Sequence, residues 1–225
     1  MRIIQLGFKD DSFDMLNWFD VSGTASTNGD EILFNNQVRG DVTYSGPITG
    51  VLCKAKSQLG TNLTLQINAA NYTLPLSTSY QVFEFTSTLP SSPTTLAYFT
   101  GSDGSDTYSV DFLAFELGNE LDIAGVSQSF IINRQIAQLQ PPNYVDVIQL
   151  LGYVYPSTDF QTHNLSYSDV SWLLNTLSAN IPVCVLATAL ATTGYLSDMT
   201  FERDAGWPIY EGRFTLIKGD ASDFK

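Results

Sequence analysis

Few residues in this chain could do chemistry. The single histidine, His163, stands in the polar run Asp159-Phe160-Gln161-Thr162-His163-Asn164. That run reads as a solvated loop, whereas a working histidine needs ligands or partners around it. Cys53 and Cys184 lie far apart inside apolar runs, Val51-Leu52-Cys53 and Val183-Cys184-Val185. Such thiols pack as small hydrophobes. A zinc centre needs three or four His, Cys or carboxylate ligands at local spacing, and no such cluster is written here. A nucleophile elbow and a phosphate-binding loop are likewise missing. Gly101-Ser102-Asp103-Gly104 lacks a strand–turn–helix setting and reads as a tight turn. Paired carboxylates are enough for glycoside hydrolysis, but 23 acids make chance pairs common. Only Asp111, between Val110 and Phe112, sits where burial would raise a carboxyl's pKa. The chain is therefore expected not to be an enzyme.

Composition narrows the partners. The formal charge is -13 and the pI is near 4.1, with ten basic residues that nowhere cluster. Nucleic acid is excluded, because neutralising phosphates takes grouped Lys and Arg. The acidity reads as a device for solubility. The opening Met1-Arg2-Ile3-Ile4-Gln5-Leu6 turns polar too early for a secretory signal. The longest apolar stretch, Ile181 to Leu190, is broken by Thr188 and is about half a membrane span, so no membrane insertion is expected. The acceptor sequons at Asn62, Asn71 and Asn164 are accordingly expected to be bare.

The elements that must position these residues are mostly strands. From Ile32 to about Leu117, short apolar runs alternate with turn formers such as Ser45-Gly46-Pro47, Gly60-Thr61-Asn62 and Pro90-Ser91-Ser92-Pro93. Strands are expected at 32–34, 51–56, 63–67, 80–85, 96–99 and 108–115. Leu63, Leu65 and Ile67 face one way, and Thr64 and Gln66 the other. The run around Val82 has fewer polar breaks and points to burial on both faces. Strands at this spacing without a helix predict an antiparallel β-sandwich or jelly roll over residues 1–120. Gly118 to Gly125 is polar and suits a boundary. Residues 121–225 read as a small, β-rich α+β domain with one helix near 168–179, in which Ser168 caps. Val170, Leu173, Leu174 and Leu177 would form that helix's apolar face. Strands are expected at 145–154, 183–190, 195–202 and 209–217.

Two resemblances add to this mainly-β reading. Asp11-Ser12-Phe13-Asp14-Met15-Leu16-Asn17-Trp18, Tyr80-Gln81-Val82-Phe83-Glu84-Phe85-Thr86 and Tyr108 to Glu116 resemble the entry, a middle strand and the closing strand of galactose-binding-like jelly rolls. That is the fold of many carbohydrate-binding modules. The resemblance implies a structural calcium held by Asp14 and Asp111, although Asp14 stands where Glu is commoner. It also implies glycan contact through exposed aromatics, for which Tyr44, Tyr72 and Tyr98 are the candidates. The segment Tyr195-Leu196-Ser197-Asp198-Met199-Thr200-Phe201-Glu202-Arg203-Asp204, running on into Ile209 to Gly219, resembles the closing hairpin of tail and baseplate proteins of tailed viruses. Met199 and Phe201 would face one set of partners, and Phe214 and Leu216 another. Trp207-Pro208 in the intervening loop departs from that pattern and is the expected assembly contact. Together these imply a virion structural protein, assembled in the host cytoplasm as a homo-oligomer with other tail proteins. Its sandwich would touch a cell-surface glycan. The alternatives are a free-standing carbohydrate-binding protein and a glycosidase-like enzyme.

Overall fold

A computed structural model describes residues 1–11, 13, 18–27, 31–44, 46–89, 94–123, 126–129, 157–187, 190–203 and 209–217. Among them the chain forms sixteen strands and one helix. The strands of the first half are β1 (Arg2–Asp10), β2 (Trp18–Ser22), β3 (Ala25–Thr27), β4 (Ile32–Phe34), β5 (Gln37–Thr43), β6 (Gly50–Ser57), β7 (Asn62–Ile67) and β8 (Ala70–Pro75). They are followed by β9 (Gln81–Thr86), β10 (Thr94–Gly101) and β11 (Tyr108–Asp122). The second half supplies β12 (Val126–Ser129), β13 (Ser157–Leu165), the helix α1 (Tyr167–Ser178), β14 (Val183–Ala187), β15 (Leu190–Glu202) and β16 (Tyr210–Ile217).

All pairings are antiparallel and form two sheets. The smaller runs β2-β5-β10-β7-β8, and the larger runs β12-β13-β16-β15-β14-β1-β11-β4-β3, with β6 also on β11 and β9 on β6. The sandwich core fills the space between the small sheet and the first-half strands of the large one. Trp18, Val38, Val42, Leu63, Leu65, Ile67, Ala97 and Phe99 meet Ile32, Phe34, Val51, Cys53, Tyr108, Val110, Leu113 and Phe115 there. Period-two alternation dictates this. In β7 the residues Leu63, Leu65 and Ile67 point in while Thr64 and Gln66 point out.

β1 joins the halves, since Arg2 to Gln5 pair with β14 while Leu6 to Asp10 continue along β11. Its alternation feeds two further cores. Ile3 enters a core with Phe160, Leu173, Val183, Leu196 and Phe214. Ile4 and Leu6 enter another with Leu52, Phe112, Ala114 and Cys184. A polar ring reinforces the joint. Gln5 Nε2 donates to Thr176 Oγ1 (2.7 Å), Asn119 Nδ2 to Gln5 Oε1 (2.8 Å), and Trp172 Nε1 to Asn119 Oδ1 (3.1 Å).

Several local expectations change. Gly118 to Asp122, part of the stretch Gly118 to Gly125 read as suited to a boundary, are in strand conformation at the end of β11, where Gly118 has a φ of 70°. Val82 is 37% exposed because β9 is an edge strand that, among the described residues, pairs with β6 alone. The helix is capped by Ser166, two residues earlier than Ser168, through a full capping box. Asp169 N–H donates to Ser166 Oγ, and Asp169 Oδ2 accepts from Ser166 N–H. Val170, Leu173 and Thr176 are its buried positions, and Leu174 faces out. His163 belongs to β13 and not to a loop, because Phe160 and Thr162 turn to one side and are buried. Met199 and Phe201 pack on the same core as Phe214 and Leu216, so the hairpin serves one core where two sets of partners were expected. The strand expected at 145–154 lies outside the described residues.

Candidate functional site: the outer face of the five-stranded sheet

The outward positions of the small sheet assemble a row that crosses all five strands. Phe19 lies opposite Arg39, Arg39 opposite Tyr98, Tyr98 opposite Gln66, and Gln66 opposite Asn71. In register, opposite residues share a face, so these five side chains form one stripe. The guanidinium of Arg39 lies 5.6 Å from the centre of the Phe19 ring, a cation–π contact. Its Nη2 donates to Asp41 Oδ1 at 3.1 Å, and its Nε is buried without a hydrogen-bond partner. The next row is Gln37, Thr100, Thr64 and Thr73, where Gln37 Nε2 donates to Thr100 Oγ1 at 2.8 Å. On the other side Leu96 lies opposite Asp41.

What supports this face lies underneath it. Trp18 sits between Phe13 and Phe99, and its Nε1 donates to Asp10 Oδ2 at 2.7 Å. Gly40 is required directly above, because a Cβ there would come within 2.6 Å of the Trp18 ring. Phe19 therefore projects outward as the neighbour of an anchored inward Trp. The face exposes apolar surface: Phe19 is 38%, Leu96 36% and Val21 50% accessible. Aromatic planes beside amides and hydroxyls can stack on apolar ligand surface and hydrogen-bond its polar rim. The two rings are separated by one intervening strand, hence by about 10 Å.

Of the three tyrosines singled out in the sequence, only Tyr98 belongs to this face. Tyr44 is buried and meets Phe115 edge-on at 5.7 Å. Tyr72 turns inward opposite Leu65, packs on Phe85 at 4.9 Å and donates its hydroxyl to Ser87 at 2.6 Å. Phe19, Arg39 and Asn71 were not found from sequence, although the outward setting of Gln66 was visible in its alternation.

For the expected metal pair, Asp14 lies outside the described residues and Asp111 is engaged by Lys54, Nζ to Oδ2, at 2.8 Å. An ammonium at that distance already neutralises the carboxylate that calcium would use. Among the described residues no group of three His, Cys, Asp or Glu side chains converges on one point. Trp207 and Pro208 also lie outside the described residues. His163 faces Glu211 across β13 and β16, Nδ1 to Oε1, at 3.2 Å. Both cysteines are buried, and burial pushes their thiols well above the ordinary range. Among the described residues the carboxyl shifted upward is Glu116, which sequence reading did not single out. It is pushed up to about 7, first by burial and then by Glu84.

Comparison with known proteins gives no family model and no curated protein that matches. Among solved structures, the chain is similar to a carbohydrate-binding module, CBM36, in complex with calcium and xylotriose. The TM-score is 0.38 at 14% identity over 48% of this chain and 99% of that one. It is similar to CBM35 from Cellvibrio japonicus Abf62, with a TM-score of 0.37 at 16% identity over 54% of this chain and 96% of that one. It also aligns with a family two carbohydrate esterase from Cellvibrio japonicus, at a TM-score of 0.35 and 14% identity. That match covers 54% of this chain but only 36% of the esterase. Likeness at this level carries no information about a ligand.

Proposed function

We propose that this protein binds a neutral glycan, without catalysis, on the outer face of its five-stranded sheet. The observation that carries this is the in-register row Phe19–Arg39–Tyr98–Gln66–Asn71. Two rings on one open face suit the apolar faces of pyranose rings, and the guanidinium and amides suit their hydroxyls. A net charge of -13 disfavours anionic saccharides. The row has no acid–base pair at its centre, because the Asp41 carboxylate is tied to Arg39.

The whole protein on a glycan array, followed by calorimetry on the best ligand, tests this. Tyr98→Ala and Phe19→Ala should each weaken binding by about tenfold or more, with the circular dichroism spectrum unchanged, since an aromatic contact is worth on the order of 1 kcal/mol or more. Absence of any glycan ligand, or binding indifferent to both substitutions, overturns the reading. A place in a virus tail gains nothing from Leu196, Met199, Phe201, Phe214 and Leu216 of the β15–β16 hairpin, which pack into their own core.

A further inference from the structure

On the opposite side of the molecule, Glu116 of β11 faces the same way as Phe112 and Ala114 and is 9% exposed. Its Oε1 is buried without a hydrogen-bond partner. Its Oε2 fits only because residue 50 of β6 is glycine: a Cβ there would lie 2.6 Å from that oxygen and 3.2 Å from the Phe85 carbonyl. The one guanidinium nearby is spent elsewhere. Arg2 of β1 bridges Glu84 of edge strand β9 (Nη1 to Oε2, 2.9 Å; Nη2 to Oε1, 3.0 Å) and Glu120 of β11 (Nη2 to Oε2, 2.7 Å). On β6, Lys54 is held by Asp111 at 2.8 Å, and on β14 the buried Cys184 thiol is uncharged. Another ion pair on β1, Lys9 with Asp11, lies at the far end of the strand. If Glu116 ionises, three carboxylates therefore share one guanidinium.

We propose that Glu116 is a proton-operated latch on the Arg2 clamp of edge strand β9: protonated, it leaves Arg2 on Glu84 and Glu120, and ionised, it competes with them for that guanidinium and loosens the tie of β9 to β1. Among the described residues β9 hydrogen-bonds as a strand to β6 only, its Phe83 and Phe85 rest on the sandwich core, and Glu84 is its tie to β1. The direction of the pH effect follows from the two states. Burial, then Glu84, raise the folded carboxyl from 4.5 to about 7, with Arg2 opposing and Glu120 adding. Stability from this group is complete below the unfolded value near 4.5 and is lost as pH rises through about 7.

The test compares the full chain with Glu116→Gln, which keeps the shape and cannot ionise, from pH 5 to pH 8. The wild type should lose stability over that range, by on the order of a hundredfold in the unfolding equilibrium, relative to the variant. Amide exchange of residues 81–86, corrected for intrinsic pH dependence, should accelerate in the wild type only. Equal pH slopes in the two proteins overturn the latch. Should the variant not fold, a carbon NMR titration of the wild-type Glu116 carboxyl decides: a midpoint near 7 supports the latch, and an ordinary glutamate midpoint overturns it.

Discussion

The two outward faces of the sandwich are opposites. The small sheet leaves Phe19, Val21 and Leu96 accessible at 38%, 50% and 36%, whereas on the large sheet Ile4, Leu6, Leu52, Phe112, Ala114 and Cys184 are at most 1% accessible. Both faces carry apolar residues at alternate positions, so hydrophobicity does not distinguish them. What differs is the chain that follows. β14 and β15 extend the large sheet from β1, and Lys54 of β6 donates to the Ala191 carbonyl of β15 at 3.1 Å, so the second half lies over this face. On the covered face ionisable groups are sunk, either paired, as with Lys9 and Asp11, which are 3% and 2% accessible and 2.8 Å apart, or unpartnered, as with Glu116 Oε1. On the open face they are displayed beside rings. A covered apolar face is a joint, and an open one is a surface for something else.

The comparison can be broken most decisively by truncating one aromatic on each face. Phe112→Ala should cost about 3–5 kcal/mol, the ordinary cost of a buried Phe with its cavity, while Phe19→Ala should stay within about 0.5 kcal/mol in denaturant unfolding. Equal losses would mean that Phe19 is structural and the open face is not a contact surface. Nearly as large is the effect expected of Lys9→Met. It leaves the buried Asp11 carboxylate without its cation, with Thr193 Oγ1, 2.7 Å away, as the side-chain donor left to it among the described residues, and should cost about 3–5 kcal/mol. The double change Lys9→Met with Asp11→Leu should recover most of that loss, because neither charge is then buried. Smallest is the response to a chelator. With Lys54 already on Asp111, the melting midpoint should not move, and a drop on chelation would restore calcium to that end of the sandwich.

How much of this was legible varied with the element. β6, β7, β10 and β11 announce themselves, since alternation such as Leu63-Thr64-Leu65-Gln66-Ile67 fixes both the strand and its inward side. The helix was legible through Asp169, Val170 and Leu173, but not its cap: Ser166 and Ser168 are equivalent letters until backbone geometry chooses between them. β13 was hidden because one of its inward positions holds Thr162, which is buried and donates to the Gly212 carbonyl at 3.2 Å. The acids show the same limit. Asp111 was singled out for its apolar neighbours Val110 and Phe112, yet Val110 enters the sandwich core, Phe112 the core on the other face of the sheet, and Asp111 itself pairs with Lys54. Glu116 has equally plain neighbours in the chain, and its burial comes from β1, β6 and β14.

By itself the sequence determined the class of the molecule. Alternating strands, one amphipathic helix, few and scattered cations and isolated thiols are local properties, written in spacing and composition. Only the tertiary structure decided which outward residues meet. Phe19, Arg39 and Tyr98 come from three strands that are neighbours in the sheet but not in the chain, and their row exists only in the pairing register. The same holds for Arg2, Glu84 and Glu116, which β1, β9 and β11 bring to one place. Register and burial are set by long-range packing, where each face is chosen by what lands on it.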